Sequence, residues 1–139
     1  MFEFPYNFIS IKIKFKSFSK NVTLTTLFSN DTKGKFALKT LKKNRIKTNY
    51  YTEDDRPTTN KNSYLVNKHK LLKVDELNNN AITNSTLDKI TKLLKKDKSQ
   101  ILVFSDFRHG IFNNQTLSKI LDSTNHKTFK VADSQVASR

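Results

Sequence analysis

The apolar run Ile101–Phe104, together with the polar segment after it, constrains the fold more than any other stretch of this chain. Four consecutive apolar residues are typical of a short strand buried on both faces, as in the middle of a parallel sheet. Ser105 ends the run, and Asp106, Arg108 and His109 follow it. In open α/β sheets this carboxyl end of a strand borders the crevice where ligands bind. A turn whose polar residues only cap the next helix is the alternative, and the stretch alone leaves both open.

Strand-like and helix-like segments alternate through most of the chain. Residues 21–28, 46–51 and 128–132 predict strands. Helices are predicted from the caps at 29–32 to about Asn44, from a capping box at Ser85 and from Asn113. This alternation predicts an α/β fold with a mostly parallel sheet covered by helices. The inward-facing residues that we expect are Phe36, Ala37, Leu38 and Leu41, then Leu87, Ile90, Leu93 and Leu94, and finally Leu117, Ile120 and Leu121.

One segment interrupts the alternation. Residues 63–66 and 71–74 are β-like and flank residues 67–70, which predicts an antiparallel hairpin although its turn lacks glycine. The polar stretch 52–61 before it is predicted to be a loop. We expect the hairpin to lie off the main sheet as a small lid. Near the N-terminus, residues 11–16 alternate apolar and basic side chains, which predicts a half-exposed strand whose lysines protect its edge.

Lysine dominates the charge of the chain. Lys and Arg number 26 against 12 Asp and Glu, so the formal net charge is +14. Such a protein can bind nucleic acid or an anionic membrane surface. The excess is mostly lysine, is scattered from Lys12 to Lys130, and accompanies abundant Asn, Ile and Phe. A bias in amino-acid composition explains the excess of lysine without an anionic partner. We therefore favour no membrane or nucleic-acid partner, and keep a basic nucleic-acid-binding protein as an alternative function.

The absence of cysteine and the N-terminal pattern bear on the compartment. A chain without cysteine has no disulfide framework and no thiolate metal site, which suits a reducing compartment. Lys12, Lys14 and Lys16 interrupt the apolar start, unlike the apolar core of a signal peptide. No apolar run approaches the length of a spanning helix. We expect a cytoplasmic protein.

The glycines and histidines restrict the chemistry. Only Gly34 and Gly110 are present, so the sequence has no glycine-rich loop of the kind that cradles phosphates. His69 and His126 have no partner at metal-ligand spacing, so no metal site is expected. Nothing in the sequence brings Ser105 into a nucleophile–base arrangement, and we assign no catalytic residue.

Motifs in the first half resemble the ribokinase/PfkB-type carbohydrate kinases. Residues 22–34 are similar to that family's first strand and its "G-x-D-x-x-G" turn. Asp31 and Gly34 match, whereas Ser29 stands where the first glycine is usual. Residues 56–61 resemble the "P-T-x-x-K-x-R" segment that enters the family's lid, although Ser63 replaces the arginine.

Motifs in the second half extend the resemblance. Residues 71–76 are similar to the lid strand that commonly reads "L-L-R-x-D-x-E". Residues 103–110 resemble the "S-D-Y-x-K-G" strand end of the heptose-phosphate kinase branch, with Arg108 and His109 in place of a small residue and a lysine. Asp133 stands at the position of that branch's aspartate on the next strand. Each motif is weak alone, and their order and spacing together carry the resemblance.

The resemblance implies a ribokinase-like three-layer sandwich with a small β lid at about residues 56–76. Residues 21–139 would form only part of this sandwich. An atypical strand segment at residues 1–20 would precede it. The implied reaction is transfer of the γ-phosphoryl group of ATP, with Mg²⁺, to a hydroxyl of a sugar or sugar phosphate. The family's Gly-Gly and Asn sugar motif is not found near residues 5–12. Its anion hole, aspartate base and adenine site would lie after Arg139, so we expect no ATP site here and no kinase activity from this chain alone.

The resemblance also implies which residues meet the substrate. Asp106 would accept hydrogen bonds from sugar hydroxyls, and Arg108 would bind a phosphate on the sugar with its bidentate fork, with His109 assisting. For each candidate, a purely structural or solvent-exposed role stays open. The full set of expected substrate-binding residues is Asp106, Arg108, His109, Arg56, Thr59, Lys61 and Asp133.

A third class of function is a non-catalytic partner protein. An incomplete sheet exposes apolar strand edges that could dock on a complementing chain, or pair two copies through the lid.

Overall fold

The structure is a computed structural model that describes residue 19 and residues 21–134. This part of the chain is α/β and forms two compact units that divide between Leu77 and Asn78. The strand predicted within residues 1–20 lies outside the described residues. The first unit contains β1 (Thr23–Leu27), α1 (Thr32–Lys43), β2 (Lys47–Tyr51), β3 (Asn60–Val66) and β4 (His69–Glu76). The second contains α2 (Asn84–Lys95), β5 (Ile101–Asp106), α3 (Asn114–Asp122) and β6 (Phe129–Ser134).

In the first unit, β1, α1 and β2 form a βαβ unit. The two strands are parallel, with Thr23 opposite Lys47 and Leu27 opposite Tyr51. The core between strands and helix consists of Leu24, Phe28, Ala37, Leu41 and Ile46, with Leu38 packed against it. Full burial of a leucine such as Leu41 contributes about 1.5–3 kcal/mol. The predicted inward face of α1 is confirmed except at Phe36, which is 44% exposed because it lies about 100° around the helix from Ala37.

The C-terminal end of α1 is followed by a left-handed residue that the sequence did not predict. Arg45 has φ 55°, in the left-handed region. Its N–H donates to the Lys42 carbonyl at 2.9 Å, and the Ile46 N–H donates to the Leu41 carbonyl at 3.0 Å. This pair of bonds is the Schellman motif, and the accompanying apolar pair is formed by Leu41 and Ile46 of the core. Glycine is usual at the left-handed position because a side chain there costs energy.

The predicted hairpin is confirmed, with longer strands than expected. β3 and β4 are antiparallel from Asn60 opposite Glu76 to Val66 opposite His69. Both turn residues have positive φ, 48° for Asn67 and 68° for Lys68, which is the pattern of a type I′ turn. Asparagine tolerates the left-handed region, so the turn forms without glycine. The hairpin exposes large apolar side chains: Tyr64, Leu65, Val66, Leu71, Leu72 and Val74.

In the second unit, β5, α3 and β6 form another βαβ unit, preceded by α2. Ile101 of β5 lies opposite Phe129 of β6, and the parallel register continues to Asp106 opposite Ser134. α2 packs against α3. The predicted face of α2 is confirmed, with Leu93 half-buried and the other three residues buried, and its lysines at 92, 95 and 96 are exposed.

Two expectations for the second unit are wrong. α2 is capped by Thr83 instead of Ser85: the Thr83 side chain accepts a hydrogen bond from the Thr86 N–H at 3.2 Å. On α3 the buried residues are Thr116 and Ile120, whereas Leu117 and Leu121 are 38% and 39% exposed. Thr116 is buried at the start of α3, where its hydroxyl completes the cap, and the predicted burial of Ile120 is confirmed.

β5 is not the doubly buried central strand that its apolar run predicted. Among the described residues it pairs only with β6, and Ile101 is 60% exposed. The described strands form three two-stranded ladders, β1–β2 and β5–β6 parallel and β3–β4 antiparallel. A run of apolar residues indicates that a strand can be buried, but it does not specify how many strands flank it.

The left-handed Arg45 gives a stability prediction. Replacing Arg45 with Gly removes the side-chain penalty at this position, partly offset by the greater freedom of glycine in the unfolded chain. We expect the free energy of unfolding to rise by up to about 1 kcal/mol, measured by urea denaturation followed by circular dichroism. Lys47→Gly, which removes the same charge at a position with ordinary strand backbone, is the control and should destabilise. A lower stability of Arg45→Gly than of the parent chain would contradict the assignment of this cap.

Candidate functional site

The carboxyl end of β5 is organised by the Asp106 carboxylate. Asp106 Oδ1 accepts a hydrogen bond from the Arg108 N–H at 2.7 Å, and Oδ2 accepts one from the Ser134 hydroxyl at 3.1 Å. The first bond bends the chain directly after β5, where Arg108 has φ 59°. The second joins the ends of the two parallel strands. Asp106 therefore holds the loop in shape, and its remaining lone pairs are still able to accept hydrogen bonds from a ligand.

A cleft of about 390 Å³ opens at this end of the second unit. Its lining combines one carboxylate, one guanidinium, three side-chain amides and two apolar side chains. Arg108 is exposed and makes no ion pair with any residue that the structure describes. Amides and a carboxylate suit sugar hydroxyls, and an available guanidinium suits a phosphate or carboxylate group. The lining residues are Asn79, Asp106, Arg108, Gly110, Phe112, Asn113, Asn114 and Leu117.

The turn from the cleft into α3 is fixed by Asn113. Its side-chain oxygen accepts hydrogen bonds from the Gln115 and Thr116 N–H groups, each at 2.9 Å. The Asn113 N–H in turn donates to the Thr116 hydroxyl at 3.0 Å, which completes a capping box. The prediction that α3 opens at Asn113 is confirmed. This box places Asn113 and Asn114 rigidly on the wall of the cleft.

His109 and Asp133 occupy supporting positions. The His109 ring lies over Phe107 at 6.5 Å between centroids, and its Nδ1 is 3.1 Å from Asn79 Oδ1. His109 does not line the cleft itself but contacts Asn79, which does. Asp133 is exposed on β6 opposite Ser105. The neighbouring Ser134 is the β6 residue that bonds Asp106, so the resemblance pointed one residue away from this contact.

Sequence reasoning missed three contributors to the site: Asn79, Ser134 and Asn114. Nothing local in the run of asparagines at 78–80 pairs it with residue 109. The bond from Ser134 to Asp106 depends on the parallel register of β5 and β6, which the sequence does not specify.

The other three predicted site residues belong to the first unit. Arg56 is buried, and its Nε donates to Glu53 Oε2 at 2.8 Å, with 11% of the Glu53 side chain exposed. Thr59 and Lys61 are half-buried, in the loop before β3 and at its second residue. The second unit contains the remaining four, Asp106, Arg108, His109 and Asp133.

A second polar arrangement, at the carboxyl end of β1, is built around Asp31. This side chain caps α1: Oδ1 accepts from the Gly34 N–H at 2.6 Å, and Oδ2 accepts from the Thr58 N–H at 3.0 Å. The Thr58 hydroxyl is buried and accepts from the Ser29 N–H at 2.8 Å. The loop that leads to the hairpin is thereby fastened to the start of α1. We call this arrangement, Ser29, Asp31, Gly34 and Thr58, the Asp31 clasp.

Position 34 has room only for glycine. A Cβ there would lie 2.1 Å from the Ser29 carbonyl oxygen and 2.9 Å from the Thr58 hydroxyl. The first distance is far shorter than any real Cβ contact and the second lies just below the shortest ones, so a larger residue would open the clasp. The spacing Asp31-x-x-Gly34 therefore has a packing role here: the aspartate caps the helix and the glycine lets the loop approach it.

Asp31 has a perturbed pKa. Burial by itself would raise the pKa of this carboxyl, but hydrogen bonds from the Gly34 and Thr58 N–H groups and from the Thr58 side chain, with the charge of Lys33, outweigh burial. The net result is a pKa below the ordinary value, because these groups favour the charged form.

The described residues do not fit ATP or Mg²⁺. Gly34 is packed against Ser29, and Gly34 and Gly110 are isolated in the sequence, so the described residues contain no glycine-rich phosphate-cradling loop. No group of three or more His, Asp and Glu side chains in the described part of the chain could hold a metal ion. We assign no nucleotide-binding or metal-binding residue.

No protein-family model matches the chain, and no curated protein matches it. Among residues 19 and 21–134, no helix combines the length and the apolar character needed to cross a bilayer.

The lowered pKa of Asp31 predicts acid sensitivity of the first unit. A carboxyl whose pKa is depressed in the folded state adds stability that is present above its unfolded pKa, about 3.9, and is lost as the pH falls through the folded value. Asp31→Asn should lower the free energy of unfolding at pH 7 by about 1 kcal/mol, and the loss should shrink below pH 4. The measurement is urea denaturation from pH 7 to pH 2. Asp54→Asn, an exposed loop carboxyl, is the control, and equal pH curves for the two variants would contradict the role of the clasp.

Proposed function

We propose that this chain forms the sugar-binding portion of a carbohydrate kinase of the ribokinase/PfkB type, most similar to the heptose-phosphate branch. The fold would be an incomplete three-layer α/β sandwich in which β3 and β4 act as the lid. One observation carries the proposal: a cleft that holds Asp106 and Arg108 at the carboxyl end of a parallel strand, where α/β proteins bind ligands.

Three features support this assignment. The parallel βαβ units agree with the sheet of such a kinase, and the hairpin lies in the sequence where the lid is expected. The Asp31 clasp gives a physical reason for the matched aspartate and glycine. In the cleft, the amides of Asn79 and Asn114 can donate to and accept from sugar hydroxyls, and Asn113, whose oxygen caps α3, can donate through its NH₂ group.

The substrate class is set by Arg108. Its guanidinium is exposed at the cleft and makes no ion pair with a described residue, and a bidentate fork recognises phosphate better than hydroxyl groups. The Asp106 carboxylate would repel a phosphate close to it, so the sugar ring would face Asp106 and the phosphate would face Arg108. The ligand is therefore a sugar that already carries one phosphate.

Binding of sugars with and without phosphate tests this assignment. Titration of the ¹⁵N-labelled chain with hexose and heptose monophosphates should shift amides at the carboxyl end of β5. Arg108→Gln should weaken binding of the phosphorylated sugars at least tenfold, about 1.4 kcal/mol, and leave the unphosphorylated sugars unchanged. Lys98→Gln removes one exposed charge of the same unit outside the cleft lining and should change neither. If the parent chain binds no sugar, or if the Arg108 and Lys98 variants bind equally, the proposal fails.

The chain by itself should not turn over ATP. Phosphoryl transfer depends on positioning and on stabilising charge at the phosphates, and the two isolated glycines of this sequence form no glycine-rich loop that could supply it. A coupled assay of ADP release, with ATP, Mg²⁺ and each sugar phosphate, should stay at the background rate. Sugar-dependent ADP release that is lost in Asp106→Ala would show instead that these 139 residues hold a complete catalytic site.

A further inference from the structure

The outward side of α1 carries a dense group of basic side chains. Lys35, Lys39, Lys42 and Lys43 are exposed, and their spacing of three and four residues places them on one side of the helix. The opposite side, with Ala37 and Leu41, is buried in the core of the first unit. Two further exposed basic residues follow the helix. We define the α1 basic face as Lys35, Lys39, Lys42, Lys43, Arg45 and Lys47.

No acidic residue neutralises this surface locally. The stretch 32–52 contains no Asp or Glu. Among the described residues, Lys33 is paired with Glu76, but none of the six residues of the α1 basic face forms an ion pair. By contrast, the lysines of α2 are accompanied by Asp88 in the helix and Asp97 just after it. Basic residues are scattered over the whole sequence, and on α1 they stand without a local acidic residue.

The stability of the helix does not account for this arrangement. Lys42 and Lys43 lie in the last turn, where cations interact favourably with the helix dipole. Lys35 lies near the N-terminus, where cations are disfavoured. The pairs Lys35–Lys39 and Lys39–Lys43 are like charges at a separation of four residues, which repel each other. An external anion would relieve the repulsion.

We propose that the α1 basic face binds the phosphate backbone of a nucleic acid, without base specificity. A row of lysines is suited to a chain of regularly spaced phosphates, since each lysine is a flexible point charge that displaces a counterion. Insertion into a membrane is disfavoured because it needs a broad apolar face beside the charges, whereas α1 exposes one large apolar side chain there, Phe36, and buries Ala37 and Leu41. This inference is independent of the proposed sugar-binding function.

The test compares two variants of equal net charge. Lys39→Gln/Lys42→Gln/Lys43→Gln changes the α1 basic face, and Lys92→Gln/Lys95→Gln/Lys96→Gln makes the same change on exposed lysines of α2. Binding of fluorescein-labelled oligothymidylate is followed by anisotropy over a range of salt concentrations. A single-strand complex has a log–log salt slope of about −0.7 per phosphate contact, so the α1 variant should lose roughly two from the slope magnitude. It should also bind at least tenfold more weakly at low salt, whereas the α2 variant keeps the parent slope.

Three results would overturn the proposal. One is absence of oligonucleotide binding by the parent chain at low salt. Another is an equal loss in the two variants, which would show that total charge and not the α1 surface drives binding. The third is tighter binding to vesicles of anionic phosphatidylserine than to the oligonucleotide. Circular dichroism of both variants checks that the helices are intact, and Lys→Arg replacements at 39, 42 and 43 should restore binding.

Discussion

The first unit depends on the hydrogen bonds that the Asp31 carboxylate accepts. This carboxylate accepts N–H groups from two segments far apart in sequence, one that opens α1 and one that leads to the hairpin. Because both bonds are made to a charged acceptor, they are stronger than ordinary amide–carbonyl bonds. Gly34 makes the contact sterically possible, and Thr58 completes it from the other side. The clasp thus connects the βαβ unit to β3 and β4 through a few hydrogen bonds instead of a large apolar interface.

In the second unit, Asp106 likewise connects two segments through hydrogen bonds. Here one carboxylate joins the loop after β5 to the end of β6, through Arg108 and Ser134. The left-handed backbone at Arg108 and the capping box at Asn113 then determine the wall of the cleft. In both units an aspartate after a parallel strand organises the turn into the next helix. In the second unit that turn borders a cleft with an available guanidinium, and this favours the second unit as the ligand-binding one.

The positions of the charged residues in the fold change how the net charge of +14 is interpreted. On α2 the lysines share their helix and its end with acidic residues, which is the usual composition of a solvated face. On α1 the basic residues stand alone on the side opposite the core. A total charge therefore says little about a partner, whereas a local field produced by several like charges on one surface attracts polyanions and raises their association rate.

The sequence by itself determined the kinds and places of the elements. Strong caps and apolar periodicity act over a few residues, and the helices, the hairpin and the strands were found where these local signals lie. It also singled out Asp31, Gly34, Asp106 and Arg108. Only the tertiary structure decided what depends on contacts between distant residues. These are the pairing of β5 with β6 alone among the described strands, and the bond from Ser134 to Asp106. The physical reason is that register and packing join segments tens of residues apart, and nothing in a local pattern encodes which segments meet.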